Sequence, residues 1–126
     1  MKTYLDTHVA VWLYYGRVEE LSSTAVAAIE EGGALLLSPV VLLEFQYLLE
    51  VGKISDGPGK ITSALARDIS LCISRLSFRE VMETAVGEVW TRDPFDRVIV
   101  AQARADGCRL LTRDRKIREN YRHSLW

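Results

Sequence analysis

Histidine and cysteine are scarce in this chain of 126 residues, which contains two of each. His8 and His123 are far apart, as are Cys72 and Cys108, so the sequence has no CxxC pair and no histidine cluster with the spacing of zinc ligands. We therefore expect two reduced thiols in core strands, and we expect neither histidine to bind a metal.

Long hydrophobic runs are also missing. No apolar segment approaches the roughly 20 residues that a transmembrane helix needs, and Asp6 and His8 interrupt the apolar N-terminal segment, which lacks a signal-peptide cleavage site. The hydrophobic share of 48% and the charged share of 26% are typical of a folded protein. We expect one cytoplasmic domain over residues 1–126, with no membrane segment.

Excess charge of either sign is nearly absent, since the net charge is −1, but the charges are unevenly distributed. Residues 91–126 contain nine basic and five acidic side chains, whereas residues 1–90 contain seven basic and twelve acidic ones. A basic C-terminal third favours a polyanionic partner, although solvated helical faces would give the same pattern.

Short apolar runs alternate with helical patterns along the chain. The sequence predicts strands at 2–6, 34–37, 69–73 and 108–112. It predicts helices at 7–15, 23–31, 39–51, 60–67, 78–89 and 95–105, and a last helix capped by Asp114. Because the strands are continuous apolar runs between helices, they indicate an α/β fold, a three-layer α/β/α sandwich with a mainly parallel central sheet.

Three acidic positions follow strands of this predicted sheet. Asp6 ends the first strand, the helix that carries Glu44 follows the second, and Asp114 follows the last. In such sheets the ligand crevice lies beyond the carboxyl ends of the strands. We therefore expect these acids to lie on one rim of the sheet.

Glu44 lies on the apolar side of its predicted helix. It is about 160° from the polar stripe that Gln46, Glu50 and Lys53 define. An unpaired buried carboxylate costs several kcal/mol. Glu44 is therefore either a core group paired with an arginine or a carboxylate that points into a polar cavity, and we favour the second interpretation.

Two further aspartates begin the helix at 95–105. Asp93 fits an N-cap, because Pro94 follows it at the first helical position. Asp96 would complement the helix dipole in the first turn. However, Asp96 shares a row with Ile99 and Val100, and this apolar position favours a functional role.

Four carboxylates on one rim would repel one another. Two charges about 5 Å apart repel by roughly 1 kcal/mol in water and by about 3 kcal/mol at an effective dielectric near 20. A divalent cation removes this repulsion, and a set of oxygen ligands without histidine or cysteine favours Mg²⁺, or Mn²⁺ as a substitute. Beside a basic surface, such an ion indicates phosphodiester hydrolysis.

Several neighbouring side chains are candidates for supporting roles. The hydroxyls of Thr7 and Thr112 can orient water at the ion, or they can make local turn hydrogen bonds. Arg97 and Arg113 can bind phosphate, or they can form salt bridges.

Four segments of the chain resemble motifs of the PIN-domain ribonucleases. They are YLDTHVAVWL, SPVVLLEFQYLLEVGKI, DPFDRVIVAQA and LLTRDRKI, in this order and over most of the chain. The chain is most similar to the VapC-type toxins of toxin–antitoxin pairs. The resemblance implies catalytic, metal-binding roles for Asp6, Glu44, Asp96 and Asp114, whereas the role of Asp93 is less settled.

The same resemblance implies further properties. It implies Mg²⁺- or Mn²⁺-dependent cleavage of RNA, homodimerisation, and an antitoxin protein that blocks the site. Single-stranded or loop RNA is the favoured target, because exposed bases can be read there. Aromatic residues of two helices are candidates for the dimer or antitoxin surface, with core packing as the alternative. They are Trp12, Tyr14, Tyr15, Phe45 and Tyr47.

Two other functions remain open at this point. A non-catalytic PIN-like module would bind RNA without cleaving it. A Mg²⁺-dependent phosphoaspartyl domain would use Asp6 as its nucleophile. Such a domain normally needs a lysine near the site, and the sequence has none between Lys60 and Lys116.

Overall fold

Five short strands form the centre of the structure, a computed structural model that describes residues 1–126. All four pairings between neighbouring strands are parallel, which confirms the predicted α/β fold with a parallel sheet. The strands are β1 (Thr3–Leu5), β2 (Leu35–Leu37), β3 (Cys72–Ile73), β4 (Arg109–Leu111) and β5 (Ser124–Leu125), and their order in the sheet is β3-β2-β1-β4-β5.

Seven α-helices and one short 3-10 helix connect and flank these strands. Several helix ends carry residues that are favoured as caps, such as Ser22 before the second helix and Gly107 (φ 66°) after the sixth. The helices are α1 (Thr7–Tyr14), α2 (Ser23–Glu30), α3 (Val40–Glu50), α4 (Pro58–Ile69), α5 (Phe78–Ala85), α6 (Pro94–Asp106) and α7 (Arg115–Asn120), and the 3-10 helix is Val18–Glu20.

Three predicted elements have wrong boundaries. The strand expected at 69–73 is only Cys72–Ile73, because α4 extends to Ile69 and Ser70 then turns the chain with a left-handed φ of 55°. The helix expected to reach residue 89 ends at Ala85, where the chain turns. The helix expected at 60–67 begins two residues earlier and ends two residues later.

Strand β5 and the position of Cys72 also differ from expectation. β5 is too short and too polar to be recognised, and it forms because backbone groups of β4 bond to the C-terminal segment, as Leu110 N does to His123 O at 3.0 Å. Cys72 lies on the edge strand and is exposed, whereas Cys108 is buried as predicted. Both cysteines are free thiols.

The hydrophobic core packs the sheet against the helices as one large cluster of 21 buried residues. Tyr4, Leu5 and Leu37 from the strands meet Val41 and Phe45 from α3 in this cluster. Phe45 is fully buried, so it belongs to the core and is excluded from the interaction surface for which it was a candidate. No helix of the chain is both long enough and apolar enough to span a membrane.

Candidate active site

Two of the predicted acids lie where the neighbouring strands β1 and β4 end. Asp6 is the N-cap of α1, and its Oδ1 accepts a hydrogen bond from Thr7 N at 2.8 Å. Asp114 is the N-cap of α7, and its Oδ1 accepts from Ile117 N at 3.0 Å. Parallel pairing of β1 with β4 places both caps at the same edge of the sheet.

The buried hydroxyl of Thr112 connects these two acids. Its Oγ1 donates to Asp6 Oδ2 at 2.6 Å and accepts from Asp114 N at 3.0 Å. Asp6 is itself only 4% exposed. Each of its carboxylate oxygens accepts a hydrogen bond, Oδ1 from Thr7 N and Oδ2 from Thr112 Oγ1. The position of Asp6 is therefore fixed.

Thr7 brings Glu44 to the same place. Thr7 follows Asp6 directly, and its Oγ1 donates to Glu44 Oε1 at 2.5 Å. Burial raises the pKa of Glu44, and the nearby charge of Asp6 adds to this effect. Glu44 has no arginine or lysine partner in the structure, so it is not the ion-paired core glutamate that was its alternative interpretation.

Asp96 is the least compensated of the acids. Asp93 caps α6 as predicted, since its Oδ1 accepts from Phe95 N at 2.8 Å and from Asp96 N at 3.2 Å. The half-buried carboxylate of Asp96 accepts no hydrogen bond from the chain. Burial, followed by the charges of Asp93, Asp6, Asp114 and Glu44, raises the pKa of Asp96 to about 7.

The same electrostatic cause acts at Asp6. Its pKa is raised above the ordinary value chiefly by burial, and the charge of Asp114 contributes. We call Asp6, Glu44, Asp96 and Asp114 the acidic cluster. Asp6, Glu44 and Asp114 each contribute to the raised pKa of Asp96, and none of the four forms a salt bridge with a basic side chain. The cluster therefore concentrates negative charge that the chain itself does not neutralise.

The acidic cluster is not a closed set of metal ligands. No group of three His, Cys, Asp or Glu side chains is arranged to hold an ion directly. An open arrangement of oxygen donors nevertheless fits Mg²⁺, which usually keeps several waters and binds only one or two carboxylates together with substrate phosphates. Without a counter-ion, mutual repulsion also favours keeping the carboxylates apart.

A buried amide fixes the helices that carry two of these acids. Gln102 of α6 is 2% exposed. Its Oε1 accepts from Ser38 Oγ at 3.0 Å, and its Nε2 donates to Ser74 Oγ at 2.9 Å. Because Ser38 precedes α3, this link ties the start of the Glu44 helix to the Asp96 helix.

The two arginines predicted to bind phosphate differ in position. Arg97 donates to the carbonyl oxygens of Ala85 and Val86 at the end of α5. These hydrogen bonds use Nε and Nη2 of Arg97, and phosphate binding by this residue stays a prediction. Arg113 pairs with Glu20 at 2.9 Å and lines one cavity with Asp6 and Asp114.

His8 and Trp12 are neighbours of the acids that the sequence did not reveal as site residues. They line the cavity of about 230 Å³ that also contains Asp6, Arg113 and Asp114. Their positions, two and six residues after Asp6, put them one turn apart on α1, which is the signal that could have identified them. The largest cavity, about 1010 Å³ beside β2 and β3, contains no member of the acidic cluster.

A family model and a related protein sequence match most of this chain. The family model described as PIN domain matches residues 3–122. Ribonuclease VapC22 of Mycobacterium tuberculosis is 31% identical over 129 residues, which covers 94% of this chain and 91% of that protein.

Two solved structures have the same fold. A toxin–antitoxin complex from Klebsiella pneumoniae matches with a TM-score of 0.69 at 21% identity, over 98% of this chain and 96% of that chain. VapBC2 from Rickettsia felis, bound to a DNA fragment from their promoter, matches with a TM-score of 0.62 at 19% identity, over 94% of this chain and 92% of that chain.

Proposed function

This chain belongs to the PIN-domain family, and from that premise we propose that it is a metal-dependent endoribonuclease, the toxin of a type II toxin–antitoxin system. The name of its relative, a ribonuclease, supports the reaction. The toxin–antitoxin complexes among the matching structures support the biological setting.

The uncompensated charge of the acidic cluster carries the proposal. Asp96 accepts no hydrogen bond and has its pKa raised to about 7 by burial and by four neighbouring carboxylates. A carboxylate that only stabilised the helix terminus would be more stable in water than half-buried among like charges. A bound cation would stabilise the ionised carboxylates and offset the cost of holding them close together.

Asp6, Glu44, Asp96 and Asp114 would hold Mg²⁺ or Mn²⁺. When bound, the ion supplies Lewis-acid polarisation of the phosphoryl oxygen and lowers the pKa of water. The chain contributes fixed oxygen donors, because Thr112 and Thr7 hold the carboxylates of Asp6 and Glu44. Arg113 lies in the same cavity as Asp6 and Asp114, where its guanidinium can bind the phosphate of an RNA strand.

An exposed apolar line on α3 supports the expected homodimer. Leu43 is 63% exposed, Tyr47 53% and Val51 49%, and their spacing of four residues puts them on one face. We propose that a second copy of the chain covers this face. Sedimentation of the wild type and of Tyr47→Ser tests this, and a wild type that sediments as a monomer at micromolar concentration contradicts it.

The proposed activity is tested with purified protein and a mixed RNA pool in Mg²⁺, Mn²⁺ or EDTA. We expect cleavage with either ion and none in EDTA. Asp6→Asn and Asp96→Asn should reduce the rate by on the order of a thousandfold. Glu80→Gln, which removes an exposed carboxylate of α5, is the matched control and should cleave like the wild type.

Other outcomes of this experiment would identify the alternative functions. Cleavage that persists in EDTA or in both aspartate variants would contradict the proposed mechanism. RNA binding without any cleavage would indicate a non-catalytic module. An acid-labile phosphoryl group on Asp6 would indicate a phosphoaspartyl domain, although no lysine lines the cavity beside Asp6.

A further inference from the structure

Trp12 is a large aromatic side chain that the hydrophobic core does not use. Trp90 and Trp126 pack against the buried core, but Trp12 does not. Its ring centre lies 6.0 Å from those of His8 and Trp126, and neither ring is stacked parallel to it, since the interplanar angles are 44° and 50°. The indole N–H donates no hydrogen bond within the chain. Its one cationic neighbour is Arg113, whose guanidinium carbon lies 5.7 Å over the ring centre, so core packing does not account for a tryptophan at this position.

His8 and Trp12 form a shared wall between two cavities. The cavity of about 230 Å³ on one side contains Asp6 and Asp114. The cavity on the other side, about 450 Å³, is lined by Tyr15, Arg17 and Lys53 among others. A path thus leads from the acidic cluster past two aromatic rings to a basic and aromatic surface. We call this path the α1 track.

The two cations of the α1 track are free to bind a ligand. Arg17 and Lys53 are exposed, and neither takes part in a salt bridge. By contrast, Arg104, Arg109 and Arg115 in the basic C-terminal third are paired with Glu88, Glu31 and Glu119. A count of charges along the sequence therefore overestimates the number of unpaired cations in the C-terminal third. The available cations beside the acidic cluster include residues from the first half of the chain.

We propose that the α1 track binds single-stranded RNA, with Trp12 stacking on the base next to the phosphate at the acidic cluster, and with Arg17 and Lys53 contacting phosphates further along the strand. This proposal rests on the proposed function. Aromatic side chains interleaved with cations are the usual surface for single strands, because every base has a face that can stack. A nucleotide next to a phosphate bound at Asp6 and Asp114 can reach the His8 and Trp12 wall, because these residues line the same cavity.

The proposal is tested with a fluorescent single-stranded RNA of about 12 nucleotides, within the range of site sizes of such proteins. Cleavage kinetics are measured for the wild type, Trp12→Leu and Trp12→Phe. Trp12→Leu should raise KM about tenfold with kcat nearly unchanged, because stacking binds ground state and transition state alike. Trp12→Phe should retain most of the affinity. Phe78→Leu, an exposed aromatic of α5 outside both cavities, is the matched control.

The cations are tested by the salt dependence of RNA binding in the Asp96→Asn background. Arg17→Ala and Lys53→Ala should each reduce the slope of log K against log salt by about 0.7, the value for one phosphate contact to a single strand. Arg79→Ala, an exposed arginine of α5 paired with Glu83, should leave the slope unchanged.

Unchanged KM and unchanged RNA affinity in a folded Trp12→Leu protein would overturn the proposal. Weakened binding of the cognate antitoxin with unchanged RNA affinity would overturn it too, and would assign the surface to that protein. Failure of the proposed function is distinguishable. If the wild type cleaves no RNA but loses RNA affinity on Trp12→Leu and not on Phe78→Leu, the α1 track stands and the nuclease does not.

Discussion

The carboxylates near the two ends of helix α6 differ in whether the chain supplies hydrogen-bond donors to them. Near its C-terminal end, Glu88 is 3% exposed, but Arg104 Nε donates to its Oε1 at 2.5 Å and Trp90 Nε1 donates to its Oε2 at 2.6 Å. At the N-terminal end, Asp96 has no donor and lies near four other acids. The buried charge of Glu88 is neutralised within the chain, whereas the half-buried carboxylate of Asp96 has no partner in the chain.

This difference distinguishes a structural acid, Glu88, from Asp96, the acid for which we propose a function. Glu88 is buried and Asp96 is half-buried, and the loss of water by itself destabilises an ionised carboxylate. Glu88 recovers that cost through a charged hydrogen bond, whereas Asp96 does not. Burial alone therefore does not identify a site residue. The absence of an internal partner is the feature on which we base the proposed role of Asp96.

The largest effect is expected when the structural acid loses its partner. Arg104→Met leaves Glu88 buried and unpaired, which should reduce the free energy of unfolding by about 3–5 kcal/mol. Chemical denaturation measures this change. Arg79→Met removes an exposed ion pair of α5 and should cost at most about 1 kcal/mol. Equal losses in the two variants would mean that Glu88 is not compensated by Arg104.

A smaller effect is expected at the group that positions Asp6. Thr112→Val keeps the shape of the side chain but removes the hydroxyl that donates to Asp6 and accepts from Asp114 N. The rate of RNA cleavage should fall about 10- to 100-fold, as for other groups that orient metal ligands. Thr112→Ser should restore most of the activity. A Thr112→Val protein with full activity would show that the orientation of Asp6 is unimportant.

Much of this site can be predicted from the sequence because its acids follow strands or sit on apolar helical rows. Asp6 and Asp114 come directly after apolar runs, and parallel strands bring such positions to one edge of the sheet. Glu44 can be identified from the sequence because it lies opposite the polar stripe of α3. Local patterns are sufficient in these cases, because each depends on the spacing of neighbouring residues.

Contacts between distant segments could not be predicted in the same way. Arg97 was a candidate for phosphate binding, and the sequence did not predict that its guanidinium also donates to the end of α5. Cys72 was expected in the core, yet β3 is a two-residue edge strand that exposes it. Trp12 shares a cavity with Asp114 only because the pairing of β1 with β4 brings the start of α1 beside the residues that follow β4. The partners of these side chains depend on the tertiary fold.

Ionisation of Asp96 should reduce the free energy of unfolding of the metal-free protein. Its pKa is about 7 in the folded state against an ordinary value of 3.8, so the folded protein binds this proton more tightly than the unfolded chain. Stability from this source is present at low pH and is lost as the pH rises from about 4 to 7. A divalent cation at the acidic cluster should restore it where Asp96 is ionised.

The most direct test is thermal unfolding at pH 5 and pH 8, with EDTA or with Mg²⁺, for the wild type and Asp96→Asn. In EDTA at pH 8 we expect Asp96→Asn to melt several degrees above the wild type, with a smaller difference at pH 5. Mg²⁺ should raise the melting temperature of the wild type at pH 8 and have little effect on Asp96→Asn. Equal melting temperatures in EDTA at pH 8, together with the same Mg²⁺ shift in both proteins, would contradict the claim that Asp96 is held uncompensated for a cation.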